Sequence, residues 1–436
     1  MTTTDSAVAF LNLQDPTFRP DGPEVAAARA AGWYARTPFG VGVLRHDQLS
    51  DLLSDRRLRQ GTHRVLANQG LTEGPIVDWM NSIILSTEGA DHTRLRRLVS
   101  RAFTPRSVSE LRPRMREVAD ELIDGFAGAG NVEFMAAFAD PYPARIICEL
   151  LGVPATLHEQ FRGWANDLGL AFGYTAAANR DRIEAAIAGL DAATDELLAA
   201  RRAEPGPDLL SALLAAEADG DRLTNGELRL LVTGLLFAGQ DTTHHQLGQA
   251  LSMFLRHPDQ WALLADRPEL VDRAVTEVLR LAPTTPVVGR LATEDIEVDG
   301  VAIPAGTHVT MFLVAGNTDP AVFGPDATRF DITAERPPPL TFGAGIHYCL
   351  GANLARAELA EALPILARRL GPITAAGDAA WRPSVGITGP VTLPIRSVPD
   401  RERPGARTAD QAFAVQPRSP HSSARSPTRS DGGSCR

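Results

Sequence analysis

The sequence predicts a mainly α fold with small β-sheets, built as one large helical body. Three observations carry that expectation. Apolar residues recur at three- and four-residue spacing through most of the chain, which is the period of a helix with one buried face. Stretches with strand character are few and short. The 436 residues are 44% hydrophobic and 22% charged, enough apolar material for a core that can enclose a small molecule.

Helical periodicity covers residues 108–126, 139–151, 180–202, 223–255, 270–281 and 350–370, with a further helix around His92 and Arg96. Thr224 followed by Glu227 reads as a capping box that opens the fourth of these. His257-Pro258 closes it, because a residue before proline is disfavoured in the helical region. Strand candidates are residues 39–44, 308–313 and 388–395, and 296–303 reads as a hairpin turning at Asp299-Gly300. No internal repeat is present. From about residue 399 the chain becomes rich in Arg, Ser and Pro with few apolar residues, a composition that cannot offset ordering entropy. The expected organisation is a catalytic domain over 1–398 and a disordered tail over 399–436.

All 43 basic residues are arginine, and the formal net charge is -10. An acidic balance argues against broad nucleic-acid binding, which needs a basic surface. Cys148, Cys349 and Cys435 show no paired spacing, so neither a disulfide framework nor a zinc site is suggested. The first residues lack a basic stretch followed by an apolar core, and no apolar run approaches the ~18 residues needed to cross a bilayer. A cytoplasmic protein with no membrane contact is the expectation.

Chemistry concentrates at one cysteine. Cys349 stands in Phe342-Gly343-Ala344-Gly345-Ile346-His347-Tyr348-Cys349-Leu350-Gly351, at the start of a helix, where unpaired N–H groups and the helix dipole favour a thiolate. Gly343 and Gly345 permit tight backbone geometry, Gly351 keeps the first turn slim, and Phe342 offers an aromatic wall. A lone cysteine is most often a small buried hydrophobe, and that reading stands for Cys148. For Cys349 the surrounding glycines and histidine at fixed offsets reverse it.

This stretch resembles the haem-binding signature of the cytochrome P450 family. The resemblance implies that Cys349 is the thiolate ligand of haem b iron and that His347 contacts a haem propionate. A thiolate axial ligand favours cleavage of the O–O bond. Three further constellations resemble the same family, and the likeness runs from about residue 10 to residue 397. In Ala238-Gly239-Gln240-Asp241-Thr242-Thr243, small Ala238 leaves room over a flat cofactor. The bland alternative for Thr242 is a hydroxyl bonded back to its own helix. The resemblance assigns Thr242 and Asp241 to oxygen activation, with Asp241 delivering protons. Glu277 and Arg280 lie three apart on a helix and would otherwise be a weak surface pair. The resemblance makes them, with Arg329, a buried structural triad. His92 and Arg96 share one helix face, and Arg290 follows a Pro-Val-Val-Gly stretch. The resemblance assigns all three to the propionates, which the forked donors of arginine suit.

The reaction implied is monooxygenation, with one atom of O₂ entering the substrate and the other leaving as water. No nucleotide-binding glycine fingerprint is present, so electrons are expected from a ferredoxin with its reductase, or from a flavodoxin. Docking is expected around Arg94, Arg97, Arg101 and Arg356, by attraction to acidic carriers. Family position suggests a pocket lined by Trp79, Met80, Ile83, Ile84, Leu170, Phe172, Phe237, Thr285, Val287, Val288, Ile387 and Thr388. The set is mostly apolar, which points to a lipophilic small molecule of secondary metabolism. A monomer is expected. Two other readings stay open: the same cofactor in coupling or dealkylation, and a non-catalytic haem protein that binds a ligand. The pair Asp241-Thr242 favours the enzyme.

Overall fold

The computed structural model describes residues 8–61, 63–173, 175–218 and 223–397. The region 399–436 and Cys435 lie outside the described residues, as does the start of the chain. The long helix Asn225–Arg256 is the axis of the molecule and is buried on nearly every face. A helix apolar all round must be enclosed by others. Pro141–Leu151, His158–Gly169 and Arg180–Ala203 pack against it. The first of these comes close because Gly239 has no side chain: a Cβ there would lie 2.8 Å from Ile147. The long helix opens as expected, with Thr224 accepting from the Glu227 N–H at 3.1 Å and Glu227 accepting from the Thr224 N–H at 2.8 Å. It closes at His257, and Pro258 at once starts the next helix, Pro258–Asp266.

Ala352–Leu370 packs against Pro105–Asp124 on the other side of the site. A five-stranded sheet flanks the helical body. Its order is Tyr34–Thr37, Gly40–Val43, His308–Phe312, Val287–Ala292 and Leu58–Gln60. The second and third strands pair in parallel and the other neighbours are antiparallel. The expected hairpin is Ile296–Val298 with Val301–Ile303, turning through Asp299 and Gly300, both at positive φ.

Several expected boundaries move by a few residues, the helix of residues 108–126 to Pro105–Asp124 among them, and two elements change more. The helix of residues 139–151 starts at Pro141, after a π-helical turn over Met135–Ala139. The strand of residues 388–395 divides into Pro390–Thr392 and Pro394–Ser397, which join different sheets. Leu393 sits at the break, its N–H donating to Glu133 Oε1 at 2.6 Å.

The structural triad needs a correction. Arg280 donates Nε to Glu277 Oε2 at 2.8 Å and Nη2 to Glu277 Oε1 at 2.7 Å, and both residues are fully buried. Its other nitrogen donates to the carbonyls of Asn317 and Ala327. Arg329 is exposed and offers only its backbone carbonyl, 3.3 Å from Arg280 Nη2. The second guanidinium near Glu277 belongs to Arg336, with Nε 3.9 Å from Oε2. After Phe330 the chain turns at Asp331 to Ala334, and Arg336, six residues beyond Phe330, faces inward.

Candidate functional site

The helical body and the five-stranded sheet enclose a cavity of about 430 Å³. Cys349 lies on one wall, and Ala238, Thr242 and Thr243 of the long helix line the cavity too. Protein surrounds Cys349 closely enough for burial to push its thiol up, while the Gly351 N–H, Arg96 and Arg356 pull it down. Its sulfur is accessible all the same, because it opens into the cavity. Cys148 is the contrast: it is buried in the core, and desolvation raises its thiol to about 12.

The loop that presents Cys349 is held by its backbone. The Cys349 N–H donates to the Phe342 carbonyl at 2.9 Å. Gly343 has φ 69° and Gly345 has φ 67°, and a Cβ on Gly345 would lie 3.0 Å from the Ser54 backbone. The following helix begins at Ala352, with Gly351 as its N-cap, so Cys349 precedes the helix by two residues. A side chain on Gly343 or Gly351 would meet nothing within 4 Å. The Arg356 guanidinium stacks 4.9 Å from the centre of the Phe342 ring.

A cationic end adjoins the cysteine wall. His92, Arg96, Arg290 and His347 all line the cavity, and no Asp or Glu does so among the described residues. Arg290 is buried, with only neutral acceptors: Gln60 Oε1 at 3.2 Å and the Gly289 carbonyl at 3.0 Å. Desolvation lowers its guanidinium to about 10. Arg96 donates to the Tyr348 carbonyl. His347 Nε2 lies 3.1 Å from Glu88 Oε1, and its ring centre is 4.7 Å from that of His92. Glu88 escaped the sequence reading; its signal was its place as N-cap residue of the Gly89–Ser100 helix that bears His92. A buried arginine such as Arg290, facing open space without a carboxylate bound to it, is costly unless an anion completes it. An open cysteine sulfur, a glycine cradle and these cations fit a flat, iron-bearing group that carries two carboxylates.

Of the expected pocket residues, Ile83, Ile84, Phe172, Phe237, Thr285, Val287, Val288 and Ile387 line the cavity. Trp79 and Met80 do not. Trp79 stands behind the wall, edge-on to Phe172 and Phe237 at 6.0 and 6.2 Å, with its Nε1–H donating to Thr233 Oγ1 at 3.1 Å. Phe172 and Phe237 stack at 4.3 Å. Met80, Leu170 and Thr388 also stay off the wall, because the rotation of each element turns them into the packing behind it. Residues not anticipated include Phe39, Arg64, Asn68, Gln246, Thr284, Thr310 and Leu313. Most come from elements far apart in sequence, where no local motif marks them.

Thr242 donates its hydroxyl to the Ala238 carbonyl at 2.7 Å, the back-bond that competes with any other role, and lines the cavity. Asp241 points the other way. It is fully buried, and its Oδ2 accepts from Arg382 Nη1 at 2.9 Å. Among the arginines expected to guide docking, Arg94 turns inward to pair with Glu227, while Arg97 and Arg101 are exposed.

A family model described as cytochrome P450 matches residues 172–370. The chain is 43% identical to luteothin monooxygenase of Streptomyces thioluteus, over 89% of this chain and 95% of that protein. It belongs to the cytochrome P450 family. Mycinamicin IV hydroxylase/epoxidase of Micromonospora griseorubida is 37% identical over 83% of this chain and 91% of its own. The structure of the tirandamycin C-bound P450 monooxygenase TamI superposes with a TM-score of 0.77 at 31% identity, covering 89% of this chain and all of that one (100%). The protein is accordingly a haem-thiolate monooxygenase that uses haem b, O₂ and a redox partner, within a family group active in secondary metabolism. No helix among the described residues is long and apolar enough to cross a membrane.

Proposed function

We propose that this P450 inserts one oxygen atom into a lipophilic small molecule, by hydroxylation or epoxidation, and that Cys349 is the thiolate that would hold the haem iron. The observation that carries the reading is one cavity that holds the Cys349 sulfur, the Thr242 hydroxyl and a largely apolar wall with no acidic residue. The named activities of the relatives, a hydroxylase/epoxidase among them, support it. The haem-binding unit is assigned to residues 1–398.

When bound, haem b supplies the reduction and cleavage of O₂. Arg96, Arg290 and His92 hold the two propionates, and His347 is steadied for the same task by Glu88. The Gly351 N–H, Arg96 and Arg356 favour the Cys349 thiolate. Phe172, Phe237, Val287, Val288 and Ile387 exclude water and orient the substrate. Thr242 holds a hydroxyl at the cavity wall, and Asp241 is the proton donor behind it. Electrons come from a ferredoxin and its reductase, or from a flavodoxin, docking at the face of Arg97, Arg101 and Arg356. The working unit is a cytoplasmic monomer.

The test is a spin-state titration of the purified ferric protein. Neutral lipophilic natural products, steroids and fatty acids are added while the Soret band is recorded. A low-to-high-spin shift shows that a ligand displaces water at the iron and names the class to carry into turnover. A thiolate-type spectrum that no compound shifts overturns the lipophilic-substrate reading.

A further inference from the structure

Behind the long helix, opposite the cavity wall, three polar atoms converge without hydrogen-bond partners: Asp241 Oδ1, His244 Nδ1 and His245 Nε2. His245 Nε2 lies 3.9 Å from Asp241 Oδ1, one nitrogen or oxygen from each of the three side chains falls within 4.8 Å of the others, and all three residues are buried. Buried polar atoms left unpaired each cost free energy, so three in one place call for a common partner.

The tautomer of His245 decides what that partner is. His245 Nδ1 lies 3.1 Å from the Pro390 carbonyl, which can only accept, so Nδ1 carries the proton and Nε2 is an acceptor. Asp241 Oδ1, 3.9 Å away, is an acceptor as well. Two acceptors at this separation cannot bond to each other. They need a small donor between them that reaches both. His244, whose ring also feels the Gln240 carbonyl, can give that donor a third contact through Nδ1. Burial holds both imidazoles in the neutral form.

A divalent metal ion would suit two imidazoles and a carboxylate by donor type. Charge argues against it. Arg382 already neutralises Asp241, and Arg162 pairs with Asp140, the next carboxylate along. A dication would stand uncompensated in a buried site. A water molecule is neutral and makes about three such bonds in protein interiors.

We propose that His244 and His245 hold one buried water against Asp241 Oδ1, and that this water is the proton source for Asp241 during oxygen reduction. The inference rests on the reading of Asp241 as proton donor. A proton passes from the water to the free carboxylate oxygen and is replaced from solvent; no other bond forms or breaks. The edge to solvent is polar. Gln240 Nε2 donates to Asn166 Oδ1 at 3.0 Å and lies 3.4 Å from Asp140 Oδ1, and the Arg162 and Arg382 side chains are 28% and 18% exposed. His244 and His245 are positioning residues here, since neither reaches the cavity.

The test uses the haem-loaded enzyme with a plant-type ferredoxin, its reductase and NADPH, and no added substrate. Reducing equivalents are divided between hydrogen peroxide and water, in H₂O and in D₂O. His245→Leu and His244→Leu are expected to keep the thiolate carbon monoxide spectrum, to lower water formation about tenfold and to change the solvent isotope effect. His245→Gln, which retains an acceptor, restores much of the rate. Wild-type partition and isotope effect in both leucine variants overturn the inference. Asp241→Asn separates the two levels: if it alters the partition while the histidine variants do not, Asp241 keeps its role and the water relay fails. If Asp241→Asn changes nothing, the donor reading itself falls. A crystal structure of the wild-type holoenzyme gives a result independent of variant folding. Water density within hydrogen-bond distance of the three atoms supports the relay; an empty site, or an anomalous scatterer there, overturns it.

Discussion

At the residue scale, burial pushes both the Cys349 thiol and the Glu358 carboxyl up, and at Cys349 a backbone N–H and two arginines pull back. Cys349 faces an N–H and two guanidinium groups and opens to the cavity. Cys349→Ser changes one ligand atom and little volume. It is expected to fold, to bind haem more weakly and to lose the thiolate-type carbon monoxide spectrum; retention of that spectrum would refute the ligand assignment. Glu358, nine residues further on, is fully buried, with the Thr243 hydroxyl as its hydrogen-bonding neighbour. Burial raises its carboxyl well above the usual carboxylate range, against the smaller pull of the Thr243 hydroxyl. A raised carboxyl contributes stability that is complete below the unfolded pKa and is lost as pH rises toward the folded one, by up to about 1.4 kcal/mol per pH unit. Glu358→Gln removes that loss. Its melting temperature relative to wild type is expected to climb between pH 5 and pH 8, and a margin independent of pH would mean that Glu358 is ionised.

At the element scale, the Val271–Leu281 helix is anchored by Glu277 and Arg280, which satisfy each other and two carbonyls from the segments that follow. Losing one partner strands a buried charge. Glu277→Ala is therefore expected to cost about 3–5 kcal/mol and to yield little haem-loaded protein. Arg329 and Arg336 discriminate the two assignments of the third member. Arg329→Ala is expected to stay within about 0.5 kcal/mol of wild type, as surface changes do. Arg336→Ala is expected to be clearly less stable in the same guanidinium titration. Equal stability of the two variants would count against the corrected triad. The helices themselves were legible from sequence because a 3.6-residue period and the Thr224 cap are local facts. The π-turn before Pro141 and the break at Leu393 were not, because tertiary contacts such as Glu133 to the Leu393 N–H create them.

At the scale of the whole molecule, a helical body and a sheet close around the cavity that Cys349 faces, and the proposed docking face of the electron carrier lies outside it. If docking there is electrostatic, turnover with ferredoxin falls as salt rises, because screening shortens the reach of exposed charges. Binding of a neutral ligand, followed by its spin shift, is expected to change little over the same range. A turnover rate indifferent to salt would place the carrier elsewhere or make its docking apolar. The same scale explains why pocket prediction was uneven. Trp79 and Phe172 both belong to the predicted set and their rings meet edge-on, yet only the ring of Phe172 meets the cavity, with Trp79 packed behind it.

The sequence by itself determined the family, the cysteine that faces the cavity, the order of the helices and the identities of the cationic residues, because each is written in a short run of side chains at fixed spacing. Only the tertiary structure decided which arginine supports Glu277, which pocket candidates reach the wall, and that Asp241 turns from the cavity toward Arg382 and two histidines. Those outcomes depend on contacts between residues far apart in the chain, Asp241 and Arg382 being separated by 141 positions. Local periodicity sets which face a residue occupies, and the packing of distant elements sets what that face meets.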